Sequence, residues 1–336
     1  MAFLLSVLDQ SPISEGSSGA DALRNSLDLA CLADRLGYHR YWLAEHHGTP
    51  MLACASPEVL IGPVAAATSR IRVGSGGVML PHYSSLKVAE SFSMLSGLFP
   101  GRIDLAIGRA AGTDPLTAFA LQRDRRQPAP DDFPQQMAEL LAYLRNTLPA
   151  GHRFARLALL PGRPGVPDPW LLGSSAQSGI WAAAAGLPYA FADFINPGGA
   201  LIATRYRQDF TMQAGLQSPQ VIVAVSAICA ESDEAAWRLA ASARMSFTLL
   251  VQGQLIAVPP VDTALRFLEE QGTDADAITR RRRFIVGSPA TVKRGIETVA
   301  EEYEADEVMV VTITYQHDAR RRSYELIADA FASHAD

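Results

Sequence analysis

The feature that most narrows what this chain can fold into is an alternation. Eight short apolar runs recur along it: Phe3–Leu8, Tyr38–Leu43, Ile71–Ser75, Ile103–Ile107, Pro169–Leu172, Tyr189–Asp193, Val221–Cys229 and Glu307–Thr314. Segments of helical periodicity separate them. Continuous apolar runs are the pattern of strands buried on both faces. Strands separated by helices, with no series of hairpins, lie parallel and are joined by right-handed crossovers. Eight such units favour closure into a TIM-like (β/α)8 barrel over an open doubly wound sheet. At 336 residues the chain is long for an ordinary domain, yet barrels reach this size as one unit, so residues 1–336 are expected to form a single domain with insertion loops.

The helices carry their own punctuation. Asp21–Leu36 ends on Gly37, Pro57–Thr68 has proline in its first turn, and Ser85–Leu98 stops at Pro100-Gly101. Pro134–Leu148, Ala200–Gly215 and the segment opening at Ser232 also read as helical. Two stretches break the pattern, near 111–135 and 250–283. The first is polar over Thr113–Phe133, with prolines at 128 and 130, and is expected to be an insertion loop that covers the barrel mouth. The second reads as a helix at Val261–Gln271 followed by a polar segment.

A formal net charge of -6 supplies no drive towards nucleic acid or an anionic membrane. The runs Arg280–Arg283 and Arg320–Arg322 are local exceptions, expected to be a solvated helix face or a subunit salt-bridge network rather than a phosphate site. Cys31, Cys54 and Cys229 are odd in number and far apart, which argues against a disulfide framework and a zinc site and suits a reducing cytoplasm. The run Ala2–Leu8 is too short for a signal peptide, and no stretch reaches transmembrane length. A cytoplasmic protein with no metal is the expectation.

In a barrel the reactive groups stand at the C-terminal ends of strands. Those ends carry Asp9 and Gln10, Glu45-His46-His47, Ser75-Gly76-Gly77, Gly108-Arg109, Gly173-Ser174-Ser175, Asp193 and Asn196, and Ser226. Adjacent histidines point to opposite faces of a strand, so one of His46 and His47 can enter the mouth. An acid/base role, hydrogen bonding to a ligand and a structural role all remain open for it. Gly76-Gly77 reads as a close backbone approach or a bulge. Ser174, Ser175 and Ser178 at a helix N-terminus have the composition of an anion site, which Arg109 from the neighbouring strand would complete unless it pairs with Asp104. The dinucleotide fingerprint fails, because Met79 stands where its third glycine belongs. A phosphorylated planar cofactor lying across strands two to five would fit.

Five stretches carry a resemblance to a known family: Ala44-Glu-His-His-Gly48, Val73-Gly-Ser-Gly-Gly-Val-Met-Leu-Pro-His-Tyr83, Phe99-Pro-Gly-Arg-Ile-Asp-Leu-Ala-Ile-Gly-Arg109, Leu172-Gly-Ser-Ser-Ala-Gln-Ser178 and Phe284-Ile-Val-Gly-Ser-Pro289. In them the chain resembles the bacterial luciferase-like flavin monooxygenases, homologues of the luciferase α subunit. The resemblance implies a barrel that binds FMN, as FMNH2 supplied by a separate flavin reductase, and oxidises a small organic substrate with O2 through a peroxyflavin. It places His46 near the reactive edge of the flavin. It assigns cofactor binding to Ser75, Gly76, Gly77, Gly108, Arg109, Gly173, Ser174, Ser175 and Ser178, with Gly76-Gly77 at a position where the family often has a non-prolyl cis peptide. A homodimer paired through helices near strands two and three is implied as well. Gly108 stands where luciferase has a reactive cysteine, so light emission is not implied, and Ser174 replaces an acidic residue. The family also contains deazaflavin-dependent hydride-transfer enzymes and non-catalytic flavin-binding proteins, the two alternatives to a monooxygenase. Phe194, Ile195, Tyr83 and Phe119 are expected around an apolar substrate pocket.

Overall fold

A computed structural model describes residues 3–110, 112–122, 124–127, 131–155, 157, 160, 162–212, 216–272 and 282–332. Its strands are β1 (Leu4–Asp9), β2 (Arg40–Leu43), β3 (Arg72–Met79), β4 (Ile103–Gly108), β5 (Asp168–Gly173), β6 (Tyr189–Ala192), β7 (Val221–Cys229), β8 (Phe284–Gly287) and β9 (Glu307–Val311). Eight of them close a parallel barrel in the order β1 to β7 and then β9, which pairs with both β7 and β1. The helices are α1 (Gly19–Leu36), α2 (Pro57–Ala67), α3 (Ser85–Leu98), α4 (Pro115–Leu121), α5 (Phe133–Arg145), α6 (Ala176–Ala185), α7 (Ala200–Asp209), α8 (Asp233–Val251), α9 (Val261–Gln271), α10 (Pro289–Tyr303) and α11 (His317–Ala332). Among the described residues no helix is long and apolar enough to cross a membrane.

Strand parity organises the interior. Odd-numbered positions such as Val7, Tyr41, Val73, Leu105, Leu171 and Val223, and on β9 the even-numbered Val310, face outward and pack under the helices. Even-numbered positions on most strands, and odd ones on β9, face the barrel axis. On β2 that parity runs Arg40, Trp42, Ala44 and then His46 just past the strand. The low layers are filled: Trp42 meets Trp170 edge to face at 5.6 Å, and the Arg40 guanidinium lies 4.7 Å from the Trp170 ring. Higher up the inward residues shrink to Ala44, Gly76, Ala106, Gly108, Ala190 and Ala224. A barrel is normally a packed core. This one is packed low and left open high.

Three expectations need correction. Phe284–Gly287 is a ninth strand, pairing with the outer half of β7 from Ser226 to Cys229, where β6 has already ended. Its run is too short to separate from a helix approach by periodicity alone. The first insertion contains a helix, α4, because the Asp114 side chain accepts hydrogen bonds from the backbone of Leu116 and Thr117. Helix α7 ends at Asp209, six residues earlier than its composition suggests, at a stretch whose last residues, 213–215, lie outside the described residues, as do Pro128, Pro130 and the polar segment 273–281.

The arginine runs are not simple solvated faces. Arg320 is buried, donating to Asp9 at 2.6 Å and to the Thr312 carbonyl at 2.9 Å. Arg321 and Arg322 make pairs within the chain, to Asp28 and to Glu231 and Glu325. Arg283 pairs with Asp193 and Glu302, Arg282 lies over the Phe247 ring, and Arg280 and Arg281 fall outside the described residues.

Candidate active site

At the C-terminal mouth of the barrel lies a cavity of about 400 Å3 whose floor is the layer of small inward residues. Leu8, Trp42 and Ala44 bound it below, and Gly76 lies against it. The Gly76-Gly77 peptide bond is cis. A Cβ on Gly76 would sit 2.5 Å from Leu8 Cδ1, and one on Gly77 would sit 2.7 Å from the Ala106 carbonyl oxygen. Neither position has room for a side chain, so the backbone itself forms this wall.

One sector of the mouth gathers groups that attract an anion. Strands β4 and β5 are neighbours, so Arg109 after β4 and Ser174-Ser175 after β5 lie side by side. Ser175 is the N-cap residue of α6, but its side chain makes no capping hydrogen bond, which leaves the first N–H groups of that helix available. Asn196 Nδ2 donates to the Ser174 carbonyl at 2.8 Å and holds the turn. Arg109 is about half exposed, 5.4 Å from the Trp181 ring on α6, and among the described residues pairs only with exposed Asp131 at 3.1 Å. An exposed pair of this kind is weakly held. The alternative partner, Asp104, is taken at the other end of the barrel by Arg40 and Arg72.

His46 stands just past the end of β2, two strands from β4. Its backbone N–H donates to the Cys54 carbonyl at 2.9 Å, while its buried ring nitrogen Nδ1 has no partner among the described residues. Burial, reinforced by neighbouring His47, lowers its pKa to about 4. At neutral pH it is therefore an uncharged imidazole, able to accept a proton or to share a hydrogen bond. His47 turns the other way and contacts Glu45 at 2.8 Å. Glu45 is fully buried, and its second oxygen accepts from the Met79 N–H at 2.9 Å. That bond ties the end of β2 to the chain leaving Gly76-Gly77.

A second chamber of about 510 Å3 adjoins the first and shares Gln10, His46, Gly112, Phe194 and Ile195 with it. One wall is a face of α8 with Ala243, Ser246, Phe247 and Leu250. The His46 ring therefore borders both spaces.

The profile of the luciferase-like monooxygenases matches residues 1–307. The chain belongs to that family. The Bacillus subtilis protein YwcH is 45% identical over 98% of this chain and 99% of its own. An N-acetyl-S-alkylcysteine monooxygenase of the same organism is 36% identical, covering 97% of each chain. The solved structure of apo-MsnO8 superposes with a TM-score of 0.90 at 41% identity, covering 98% of this chain and 99% of that one. At the level of fold alone, the oxygenating constituent of 3,6-diketocamphane monooxygenase from Pseudomonas putida, solved with FMN, has a TM-score of 0.72 at 20% identity over 99% of each chain.

Within this luciferase-like monooxygenase, an enzyme by its family, the first cavity is lined by His46, Gly76, Gly108, Arg109, Gly173, Ser174, Ser175 and Ser178. Ser75 is outside it, since strand parity turns its side chain away and its hydroxyl donates to the Ala106 carbonyl at 2.9 Å. Gly77 backs the wall rather than lining it. Ser178 reaches the cavity edge, but its hydroxyl is engaged with the Ser175 carbonyl at 2.7 Å and Tyr189 Oη at 2.8 Å. Its bulk also explains Gly173, where a Cβ would sit 2.3 Å from Ser178 Oγ.

Asp9 and Asp193 are structural, the first bound to Arg320 and Tyr41, the second to Tyr303 and Arg283. Phe194 and Ile195 line both spaces, whereas Tyr83 hydrogen-bonds Glu45 and Phe119 lines neither. Sequence reasoning missed Glu45 as a hub and the α8 wall. An acidic residue beside two histidines was a usable signal for the first. Nothing in the α8 sequence separates a chamber wall from an ordinary buried face.

Proposed function

We propose that this protein is an FMN-dependent monooxygenase that oxidises a small organic substrate with O2. The observation that carries the reading is the pairing, in one cavity, of a side-chain-free wall at Gly76 with an uncapped helix N-terminus beside Arg109. A planar ring suits the first and a phosphate the second. When bound, FMN would supply the reduced ring that reacts with oxygen. Arg109, the α6 N–H groups and the hydroxyls of Ser174 and Ser175 would hold its phosphate. His46, neutral and with a bare ring nitrogen, would take or share a proton at the boundary between ring and substrate. The apolar chamber beside it would exclude water from the reacting atoms.

The test is a titration of the purified protein with FMN, followed by oxygen uptake with reduced flavin supplied. Arg109→Ala is expected to weaken FMN binding by about ten- to a hundredfold, the scale of a lost charge-assisted hydrogen bond. Unchanged affinity would remove the phosphate assignment. His46→Ala is expected to keep FMN affinity and lose turnover, and full turnover in that variant would remove its catalytic role.

We further propose a separate flavin reductase as the source of FMNH2. We also infer a homodimer through α2 and α3, which expose Val59, Met94 and Leu98 to solvent. A monomer by size at micromolar protein would overturn that.

A further inference from the structure

The second chamber contains a cation with no acidic partner among the described residues. Arg282 lines it, with its guanidinium 4.0 Å from the centre of the Phe247 ring, itself a lining residue. The guanidinium makes no hydrogen bond or ion pair among the described residues, and burial alone pushes its pKa down to about 10. It stays charged at neutral pH, in a poorly hydrated place. Its neighbour Arg283 behaves differently: it points to the opposite face of the strand approach and pairs with Asp193 at 3.2 Å and Glu302 at 2.8 Å.

Other charges around the chamber do not neutralise Arg282. Asp114, the one carboxylate among its described lining residues, is engaged at the N-cap of α4. His46 is neutral, and His47 is turned to Glu45. On the α8 wall, Ser246 Oγ is buried with no hydrogen-bond partner among the described residues. A half-buried cation and a buried hydroxyl, both without a partner among the described residues, stand in a chamber whose apolar walls are Phe247, Leu250, Leu255, Val311 and Ile313. Unanswered polar groups of this kind are costly unless a ligand meets them.

We propose that the substrate is an amphiphilic carboxylate, its carboxylate held by Arg282 with Ser246 as a second donor, and its apolar portion directed along the chamber towards His46. Arginine suits this role because its planar fork meets a carboxylate with two parallel hydrogen bonds. The proposal rests on the flavin reading only for the identity of the molecule as substrate; the anion site stands on its own geometry.

The experiment measures binding calorimetrically, with and without FMN, for hexanoate, octanoate and decanoate against their primary amides. The wild-type protein is expected to bind at least one acid about tenfold or more tighter than its amide, a charge-assisted bond against a neutral one. Arg282→Gln is expected to bring that ratio below about threefold, Arg282→Lys to keep part of it, and Ser246→Ala to lower it by a few fold. FMN affinity is expected to be unchanged in all three variants, which reports that each is folded. Equal binding of acid and amide at every chain length, no binding of any of the six compounds, or an undiminished ratio in Arg282→Gln would overturn the proposal. A protein that prefers the acids yet does not bind FMN would overturn the flavin reading and leave this one standing.

Discussion

The two ends of the barrel are built from the same strands at the same inward parity, yet they treat polar groups in opposite ways. At the N-terminal end Arg40 reaches Asp104 and Glu307 at 2.9 Å, Arg72 joins Asp104, the Trp42 indole donates to Asp104 at 2.9 Å, and Ser6 bonds Glu307. Each buried charge there has an answer. At the C-terminal end the inward side chains are small, and while Asp9, Glu45 and Asp193 are paired, His46 Nδ1 and Arg282 have no partner among the described residues and α6 has no side-chain cap. A closed network at one end lets the other stay open. Stability and chemistry occupy different heights of one barrel.

The sharpest way to break this comparison is Asp104→Ala. It leaves Arg40 buried with one fewer counter-charge, and urea unfolding is expected to show a loss of about 3–5 kcal/mol. A loss near zero would mean the lower end is not the closed network described.

Next comes the pH dependence of His46. Its pKa is lowered in the fold, to about 4 from an ordinary 6.5, so protonation favours the unfolded chain. The contribution of His46 is full above about pH 6.5 and is lost as pH falls towards 4, by an amount on the order of 3 kcal/mol in all. Subtracting the stability profile of His46→Gln from that of the parent isolates it. A flat difference between pH 7 and 4 would show that the ring is better solvated than its setting implies.

A smaller effect is expected at Gly77→Ala. The new methyl group would press on the Ala106 backbone, and thermal unfolding should report about 1–3 kcal/mol of destabilisation, with weaker FMN binding. Smallest is the stability effect of Arg109→Ala, expected within about 0.5 kcal/mol because its pair with Asp131 is exposed. If that variant unfolded as readily as Asp104→Ala, the contrast between the ends would fail.

Much of the architecture is legible in the chain, because apolar runs and helix punctuation are local signals. The barrel order follows from them, and so does the gathering of strand ends at one mouth. The ninth strand is not legible: Phe284–Gly287 becomes a strand because the outer half of β7 has an open edge there, a fact of tertiary structure. Ser75 and Ser178 show the same limit at the site. Both have the right residue type at the right strand end, and both hydroxyls are engaged by neighbours distant in sequence or across a turn. Glu45 was visible as a residue but not as the clasp between β2 and β3.

The sequence by itself determined that parallel strands would close around a mouth lined by His46, Gly76, Arg109 and the serines before α6, since spacing and residue size are properties of the chain. Only the tertiary structure decided which of these groups are free to act. Whether a hydroxyl, an imidazole or a guanidinium is available depends on whether another part of the chain has already satisfied it. For Ser75 it has, and for His46 and Arg282 it has not among the described residues. Hydrogen bonding is a contest between partners in space, and sequence separation does not record its outcome.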